Sequence, residues 1–433
     1  MLKKNFTFFV PIFITILFQN LNLTIDSVMI NNYNSRGTEV IGIAGSIINI
    51  LGPIFFAIVI GINSYNVQYY AKKEYDILKK FTGIILLIII PFSLLMFLIL
   101  SIFDKQILSI LVDINSDIGI LVLTYFSIIK FDLLIIPLEL MFTYQFRTLK
   151  LPKISLRVVF CQIFLNIIFN FLLIYYFNLG FFGAGLATII SKLICLFITY
   201  KYAIYIKSPF IGTFKELFTI DHKLIKRVIY TILPLISVEF MFGLSRFLTT
   251  KVYLLTGLAG YGAYVIANRI MMNFNGLVIA PANVCGIIMG EGIVLDDKKQ
   301  MKKRIKSLIY FLLIIIGCLL LITIIAPIFI KLFNTTNDIK LITQCIYLLG
   351  IYMMLRIPVA SIISVLKAGG DNRFVLFLDG GLTLFVIVPL MFYLQYKYNF
   401  NISLLMMITI LDMFLKLVIG LLRLKQGKWN NKL

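Results

Sequence analysis

The chain is a succession of continuous apolar blocks separated by short basic gaps. Each block is about twenty residues long, which is the length that crosses the hydrocarbon core of a bilayer as a helix. The apolar residues run without the alternation of a barrel strand. With 61% hydrophobic residues and a mean hydropathy of +1.00, the chain has more apolar surface than a water-soluble protein can cover. The sequence therefore predicts an all-α, polytopic membrane protein.

We predict twelve transmembrane helices in two sets of six. The predicted spans are 6–30, 40–66, 82–103, 118–144, 157–178, 183–205, 228–254, 258–290, 307–332, 340–365, 374–396 and 402–424. The second set echoes the first. The proline near the start of the first span, Pro11, recurs in similar surroundings as Pro234, and residues 146–153 align with 366–373 at almost the same spacing.

This duplication predicts three parts of the chain. Residues 1–205 form an N-terminal six-helix lobe, 206–227 a basic cytoplasmic linker, and 228–433 a C-terminal six-helix lobe. Six spans separate equivalent positions, so the two lobes have the same orientation. Such parallel repeats are related by an axis along the membrane normal, and we expect the substrate path between them.

The distribution of positive charge predicts the orientation. The net charge is +21. With the N-terminus in the cytoplasm, the inside segments carry 28 Lys and Arg residues and the outside loops carry five. This bias places both termini in the cytoplasm, in the plasma (inner) membrane of the cell. Cations facing anionic lipid explain the charge without a nucleic-acid partner. We read the apolar run after Lys3 and Lys4 as a retained first span.

Ionisable residues inside spans are candidate functional groups, because a charge in hydrocarbon costs ~3 kcal/mol unless it is paired or hydrated. Asp412 and Lys416 are four residues apart on one helical face and can neutralise each other. In the fourth span Asp132 and Glu139 share a face and Lys130 points elsewhere, so function and packing are both open there. Glu239, Arg246, Arg269 and Arg356 are further ionisable candidates within spans.

Asp26 stands near the outer end of the first span, and no Lys or Arg falls within a turn of it in the sequence. A carboxyl group in an apolar site holds a proton more readily than in water, which suits a proton carrier. Alternatively, its side chain simply reaches the outer interface. Asn166 and Asn170 share a face of the fifth span and either join helices or line a polar cavity with Asp26. Thr188 lies at a depth similar to that of Asp26 in the small-residue start of the sixth span.

Several short segments in this order resemble the multidrug and toxic compound extrusion (MATE) family, within the multidrug/oligosaccharidyl-lipid/polysaccharide exporter superfamily. The resemblance covers the whole chain, and 366–373 is its most specific part. The segments are 18–21, 25–29, 67–72, 183–191, 264–270 and 366–373.

The resemblance implies a fold of two six-helix lobes forming a V-shaped cleft. It also implies export of mainly cationic amphiphilic compounds, driven by entry of protons or sodium. Carried over from one branch of the family, the coupling site is Asp26, Asn166, Asn170 and Thr188. Asn170 stands where that branch has an aspartate. Because hard cations prefer anionic oxygen, a single carboxylate favours a proton over sodium.

The sequence is also compatible with other functions. A flippase for an anionic lipid-linked oligosaccharide would use cations in the cavity, and the candidates are Lys130, Arg246, Arg269 and Arg356. For an exporter, the candidate cavity residues are Gln19, Glu139, Glu239 and Arg269. An enzyme is disfavoured by the single loop histidine and the absence of a nucleophile motif. We expect no cofactor besides the coupling ion, no bound metal, a small-molecule substrate, contact with membrane lipid, and a monomer.

Overall fold

The computed structural model describes residues 2–149, 151–219, 222–295, 298–335, 337–369 and 371–427. Within these ranges the chain is almost entirely helical and contains no strand, which confirms the predicted all-α class. The helices of the first half are α1 (Leu2–Tyr33), α2 (Gly37–Ala71), α3 (Tyr75–Ile102), α4 (Asp104–Ser109), α5 (Asp117–Ile129), α6 (Asp132–Thr148), α7 (Pro152–Asn170), the π-helical segment Phe171–Tyr176, α8 (Gly180–Tyr205) and α9 (Phe214–Leu217).

The second half continues in the same manner. Its helices are α10 (His222–Leu254), α11 (Leu258–Met272), α12 (Gly276–Leu295), α13 (Lys298–Ile325), the 3-10 segment Ala326–Leu332, α14 (Ile339–Ala368), α15 (Asn372–Val375), the π-helical segments Leu376–Gly381 and Thr383–Ile387, α16 (Val388–Tyr398) and α17 (Ile402–Lys425).

Ten helices in the described ranges are long and apolar enough to cross a membrane, and the number reaches twelve if each of two bent helix pairs counts as one span. The pair α5 and α6 bends by 46°, and the pair α11 and α12 bends by 50°. These pairs coincide with the predicted fourth and eighth spans. The predicted twelve spans therefore match the structure when each bent pair is one crossing.

The bend between α11 and α12 is stabilised by side chains that bond the carbonyl groups it frees. Met272 O accepts from Asn275 N, only three residues later, at 3.0 Å. The same carbonyl accepts from Asn20 Nδ2 of α1 at 2.8 Å. Asn273 Nδ2 donates to Arg269 O at 3.1 Å. Because a broken helix in an apolar region must satisfy its backbone within the protein, the side chains of Asn20 and Asn273 and the backbone amide of Asn275 permit the bend.

The contacts divide the chain into two compact units. Unit 1 is Met1–Glu39 with Lys251–Leu433, and unit 2 is Val40–Thr250. This grouping places α1 with the second-half helices and α10 with the first-half helices. The predicted lobes 1–205 and 228–433 were drawn from the duplication of the sequence and not from contacts. They stay a prediction.

Unit 2 is built around an apolar core from α2, α3 and α6. Phe81 and Phe146 are fully buried there, and Val228 and Ile232 bring α10 into the same core. A hydrogen bond of 2.6 Å between the hydroxyl groups of Tyr65 and Thr231 also joins α10 to α2. These contacts explain why α10 groups with unit 2.

Unit 1 centres on α14, which packs against α11, α12 and α17. Helix α1 packs against α12, and its Phe9 ring lies 5.7 Å from the Phe311 ring of α13. Thr24 Oγ1 of α1 donates to Asn273 Oδ1 at 3.0 Å. Helix α1 thus contributes both apolar and polar contacts to unit 1.

The predicted linker contains α9, which packs against α3 within unit 2. Gly83 of α3 lies against the Leu217 carbonyl oxygen so closely that a β-carbon at position 83 would overlap it. Glycine is required here because the backbone of α9 occupies the space of a side chain. The linker is therefore seated on the surface of unit 2.

Glu216 connects α9 to α3 by charge. Lys79 Nζ donates to Glu216 Oε1 at 2.7 Å, and Glu216 also closes a capping box with Thr213. The hydrogen bond from Lys79, followed by those from Thr213, lowers the pKa of the Glu216 carboxyl group to about 2.

Candidate functional site

The amide pair predicted for coupling ends α7. Asn166 and Asn170 are both fully buried, and Asn170 Nδ2 donates to Asn166 Oδ1 at 3.1 Å. Their four-residue spacing puts them on one face of the helix. Asn166 Nδ2 has no hydrogen-bond partner in the part of the chain that the structure describes. A buried donor without a hydrogen-bond partner costs ~1–3 kcal/mol. Helix packing alone does not require such a donor at this position.

The backbone changes character directly after this pair. The segment Phe171–Tyr176 is π-helical and begins at the residue after Asn170. π-helical turns in α-helices are frequent at functional sites, because they displace carbonyl groups from the regular ladder.

Thr188 lies on α8, which packs against α7. Its side chain is buried, and its Oγ1 donates to Ala184 O at 3.1 Å. Ser191 Oγ donates to Thr188 O at 2.9 Å. Three of the four predicted coupling residues therefore stand on two helices that pack together in unit 2.

Asp26, the fourth predicted coupling residue, is half-buried on α1 in unit 1. The grouping of Asp26 with Asn166, Asn170 and Thr188 stays a prediction.

The four predicted cavity residues differ in their surroundings. The side chain of Gln19 lies outside the described residues. Glu239 on α10 and Arg269 on α11 are half-buried. Glu139 on α6 is also half-buried and belongs to a charged cluster.

The charged cluster joins α6 to α8 through a lysine. Lys192 Nζ donates to both carboxylate oxygens of Asp132, at 2.7 and 2.8 Å. The same nitrogen lies 3.8 Å from Glu139 Oε2. The prediction that Asp132 and Glu139 share a face is confirmed, because one cation reaches both.

Lys192 was not among the residues that the sequence singled out. It follows Ser191, the last residue of the family-like segment 183–191. Its position as a lysine inside a mostly apolar span is the signal that could have identified it.

Lys130 lies at the bend between α5 and α6. Its Nζ is 3.5 Å from Asp104 Oδ2 of the short helix α4. The bend therefore has an ion pair on each side, Lys130 with Asp104 and Asp132 with Lys192.

The predicted pair in the last span is confirmed. Lys416 Nζ lies 3.0 Å from Asp412 Oδ2. It also donates to Thr383 Oγ1 at 2.6 Å and to Asp379 O at 2.9 Å. Both acceptors lie in the π-helical part of the eleventh span, so Lys416 ties α17 to that irregular backbone.

The most specific family-like segment, 366–373, is also tied to α17. Asp371 Oδ2 accepts from Arg423 Nε at 2.7 Å. The Arg423 guanidinium lies 4.7 Å from the Phe374 ring centre. The segment thus has a structural function in holding the last helix.

A polar network occupies the predicted outer end of unit 1. Asn337 Nδ2 donates to the buried Glu39 at 3.1 Å. Asn31 Nδ2 donates to Asn334 O at 2.5 Å, and Thr38 Oγ1 donates to Asn31 Oδ1 at 2.7 Å. These contacts join the connection after α1 to the loop before α14.

Comparison with known proteins confirms the resemblance stated from the sequence. The MatE family model matches residues 11–172. Among curated proteins, no sequence matches significantly. The whole chain has the fold of MATE transporters.

Three solved structures illustrate this similarity. One is the inward-facing conformation of a multidrug resistance MATE family transporter of the MOP superfamily, with a TM-score of 0.83 and 14% identity over 96% of this chain and 98% of that chain. The outward-facing conformation of a transporter with the same description gives a TM-score of 0.77 and 15% identity over 100% and 97%. A MOP superfamily transporter from Pyrococcus furiosus, described as having a binding pocket of reverse polarity that suggests a different function, gives 0.75 and 14% over 100% and 97%.

Proposed function

We propose that this chain is a secondary active exporter of small, cationic amphiphilic compounds, driven by proton entry. The observation that supports this most directly is the MATE fold shared over 96% of the chain. The match of residues 11–172 to the MatE family supports it independently from the sequence. The exporter works as a monomer in the plasma membrane, with both termini in the cytoplasm.

The coupling site in this proposal consists of Asp26, Asn166, Asn170 and Thr188. Asp26 takes up and releases the proton. The buried amide pair supplies both donors and acceptors within unit 2, since an amide both donates and accepts. Sodium is the alternative coupling ion, and one carboxylate makes it the weaker candidate.

The charges in the fourth span argue against an anionic cargo. Lys130 is paired with Asp104, and Lys192 is paired with Asp132. Cations neutralised in this way attract an anion weakly. The flippase alternative is therefore not favoured. It would be the parallel to the reverse-polarity pocket described for the Pyrococcus furiosus protein.

The experiment is export by purified protein in liposomes under an imposed pH gradient, compared with an imposed sodium gradient. Asp26→Asn keeps the size of the side chain and removes its ability to ionise, so we expect proton-driven export to fall to the level of empty liposomes. The matched control is Asp76→Asn, which makes the same change on a side chain that is 94% exposed. Export that persists in Asp26→Asn at wild-type protein level would contradict the proposed role of Asp26.

A further inference from the structure

We infer that Glu139, at the inner end of the fourth span, is a second proton-binding site. A proton and the Lys192 ammonium group alternate as the group that neutralises its carboxylate. The use of this site in transport rests on the proposed proton coupling. The binding of a proton to Glu139 does not rest on that coupling, and it is tested without substrate or gradient.

The cluster contains more carboxyl groups than cations. Asp132 and Glu139 are two carboxyl groups, and among the described residues Lys192 is the one cation in contact with them. When all three are ionised, the cluster carries one negative charge in a region of low dielectric. Such a charge is unfavourable unless it is compensated, and one proton compensates it.

The two carboxyl groups differ in how strongly Lys192 binds them and in their exposure to water. Asp132 is 9% exposed and accepts from Lys192 through both oxygens. Glu139 is 26% exposed, and its nearest oxygen lies at 3.8 Å, beyond hydrogen-bond distance. The carboxyl group that is less strongly bound and more open to water is Glu139.

Among the described residues, the charges that act on Glu139 are Lys192 of α8 and Asp132 of its own helix. Helix α6 packs against α3, α7 and α8. On α8 the facing groups are Lys192 and the Cys195 thiol, and the Cys161 thiol of α7 lies beside Cys195. The remaining charged residues of these helices are Asp76, Lys79 and Lys80 of α3, Lys153 and Arg157 of α7, and Lys201 of α8.

The predicted topology gives the site a place in a proton path. The fourth span runs from the outside to the cytoplasm, so Glu139 lies near its inner end. Asp26 lies near the outer end of the first span. In this arrangement Asp26 exchanges protons with the outside and Glu139 exchanges them with the cytoplasm. When a proton neutralises Glu139, Lys192 pairs with Asp132 alone, and when the proton leaves, Lys192 is shared by both carboxylates.

The test is an infrared pH titration of the carboxylic acid C=O band in reconstituted protein. The variants are Glu139→Gln, Asp26→Asn and both together, and Glu239→Gln serves as the control because it makes the same change on another half-buried carboxyl group. We expect Glu139→Gln to remove one titrating component that persists in Asp26→Asn and in Glu239→Gln. A Glu139→Gln spectrum identical to wild type overturns the inference, as does a component that disappears in Asp132→Asn and persists in Glu139→Gln.

A second variant tests the exchange with Lys192. Asp132→Asn removes the competing carboxylate and leaves Lys192 to Glu139 within the cluster. We expect the Glu139 component in this variant to titrate at lower pH than in wild type, because the neighbouring negative charge is gone and the cation is no longer shared. An unchanged midpoint would exclude Lys192 as the exchanging partner. Loss of the component in Glu139→Gln, together with a failure of proton-driven export in liposomes, would leave the proton site standing and remove the proposed function.

Discussion

Lys192 Nζ of α8 donates to both carboxylate oxygens of Asp132 on α6, at 2.7 and 2.8 Å, across 60 positions of the chain. Both side chains are mostly buried, at 15% and 9% exposure. Neither charge is favourable in an apolar environment without the other. The pair therefore fixes the start of α6, directly after the bend of the fourth span, to the sixth span.

Removal of one member of this pair should destabilise the protein strongly. We expect Lys192→Met to lower the free energy of unfolding by ~3 kcal/mol, because it leaves the Asp132 carboxylate buried without its cation. The measurement is thermal unfolding of the purified protein in detergent. Adding Asp132→Asn should restore most of the loss, and Lys201→Met, on an exposed side chain of the same helix, should have little effect. Equal losses in Lys192→Met and Lys201→Met would contradict the structural role of the pair.

The seat of the linker on α3 depends on Gly83. We expect Gly83→Ala to destabilise the contact by ~1–3 kcal/mol, because the new methyl group overlaps the Leu217 carbonyl oxygen. The measurement is the rate of proteolysis in the linker of the purified protein. Gly45→Ala is the matched control, since its β-carbon meets no atom within 4 Å. Faster cleavage in both variants, or in neither, would argue against this contact.

The same contact should weaken in acid. The pKa of Glu216 falls from 4.5 in the unfolded chain to about 2 in the folded protein. Its stabilising contribution is therefore complete above about pH 4.5 and is lost as the pH falls toward 2. We expect a spin label at Lys215→Cys to gain mobility in that window. Glu216→Gln should abolish this pH dependence, and a label that responds identically in Glu216→Gln would show that another group is responsible.

The amide at position 170 offers a test of ion choice. Asn170→Asp adds a second carboxyl group beside Asn166 and brings the site closer to the oxygen-rich environment that sodium requires. We expect export by this variant to rise with sodium concentration by roughly tenfold, the size of a change of about 1.4 kcal/mol in ion affinity. Asn178→Asp makes the same change on an exposed residue and should leave export insensitive to sodium. Sodium dependence in both variants, or in neither, would not be consistent with a coupling site at position 170.

The orientation follows from the distribution of cations and can be tested directly. In whole cells, we expect an impermeant thiol reagent to label Asn34→Cys and to leave Lys215→Cys unlabelled until the membrane is made permeable. The expectation rests on the 28 cations of the predicted inside segments against five outside. Labelling of Lys215→Cys in intact cells would reverse the topology and the direction of export.

The sequence alone determined the properties that depend on local chemistry. Apolar blocks of sufficient length must be helices, because the backbone in lipid has to bond within its own segment. The duplication and the resemblance to MATE transporters could also be predicted from the sequence, because both are patterns along the chain. The ion pair of Asp412 and Lys416 was predictable because four residues along a helix place two side chains on one face.

Tertiary structure decided the rest. Lys192 finds Asp132 and Glu139 only because α6 and α8 pack together, and no spacing in the sequence indicates that contact. The bends in the fourth and eighth spans, and the side chains such as Asn20 that satisfy the freed carbonyls, also depend on neighbouring helices. The contact of α9 with Gly83 likewise depends on the packing of two separate helices. Interactions between distant segments arise from packing, and packing depends on the shapes of both surfaces together.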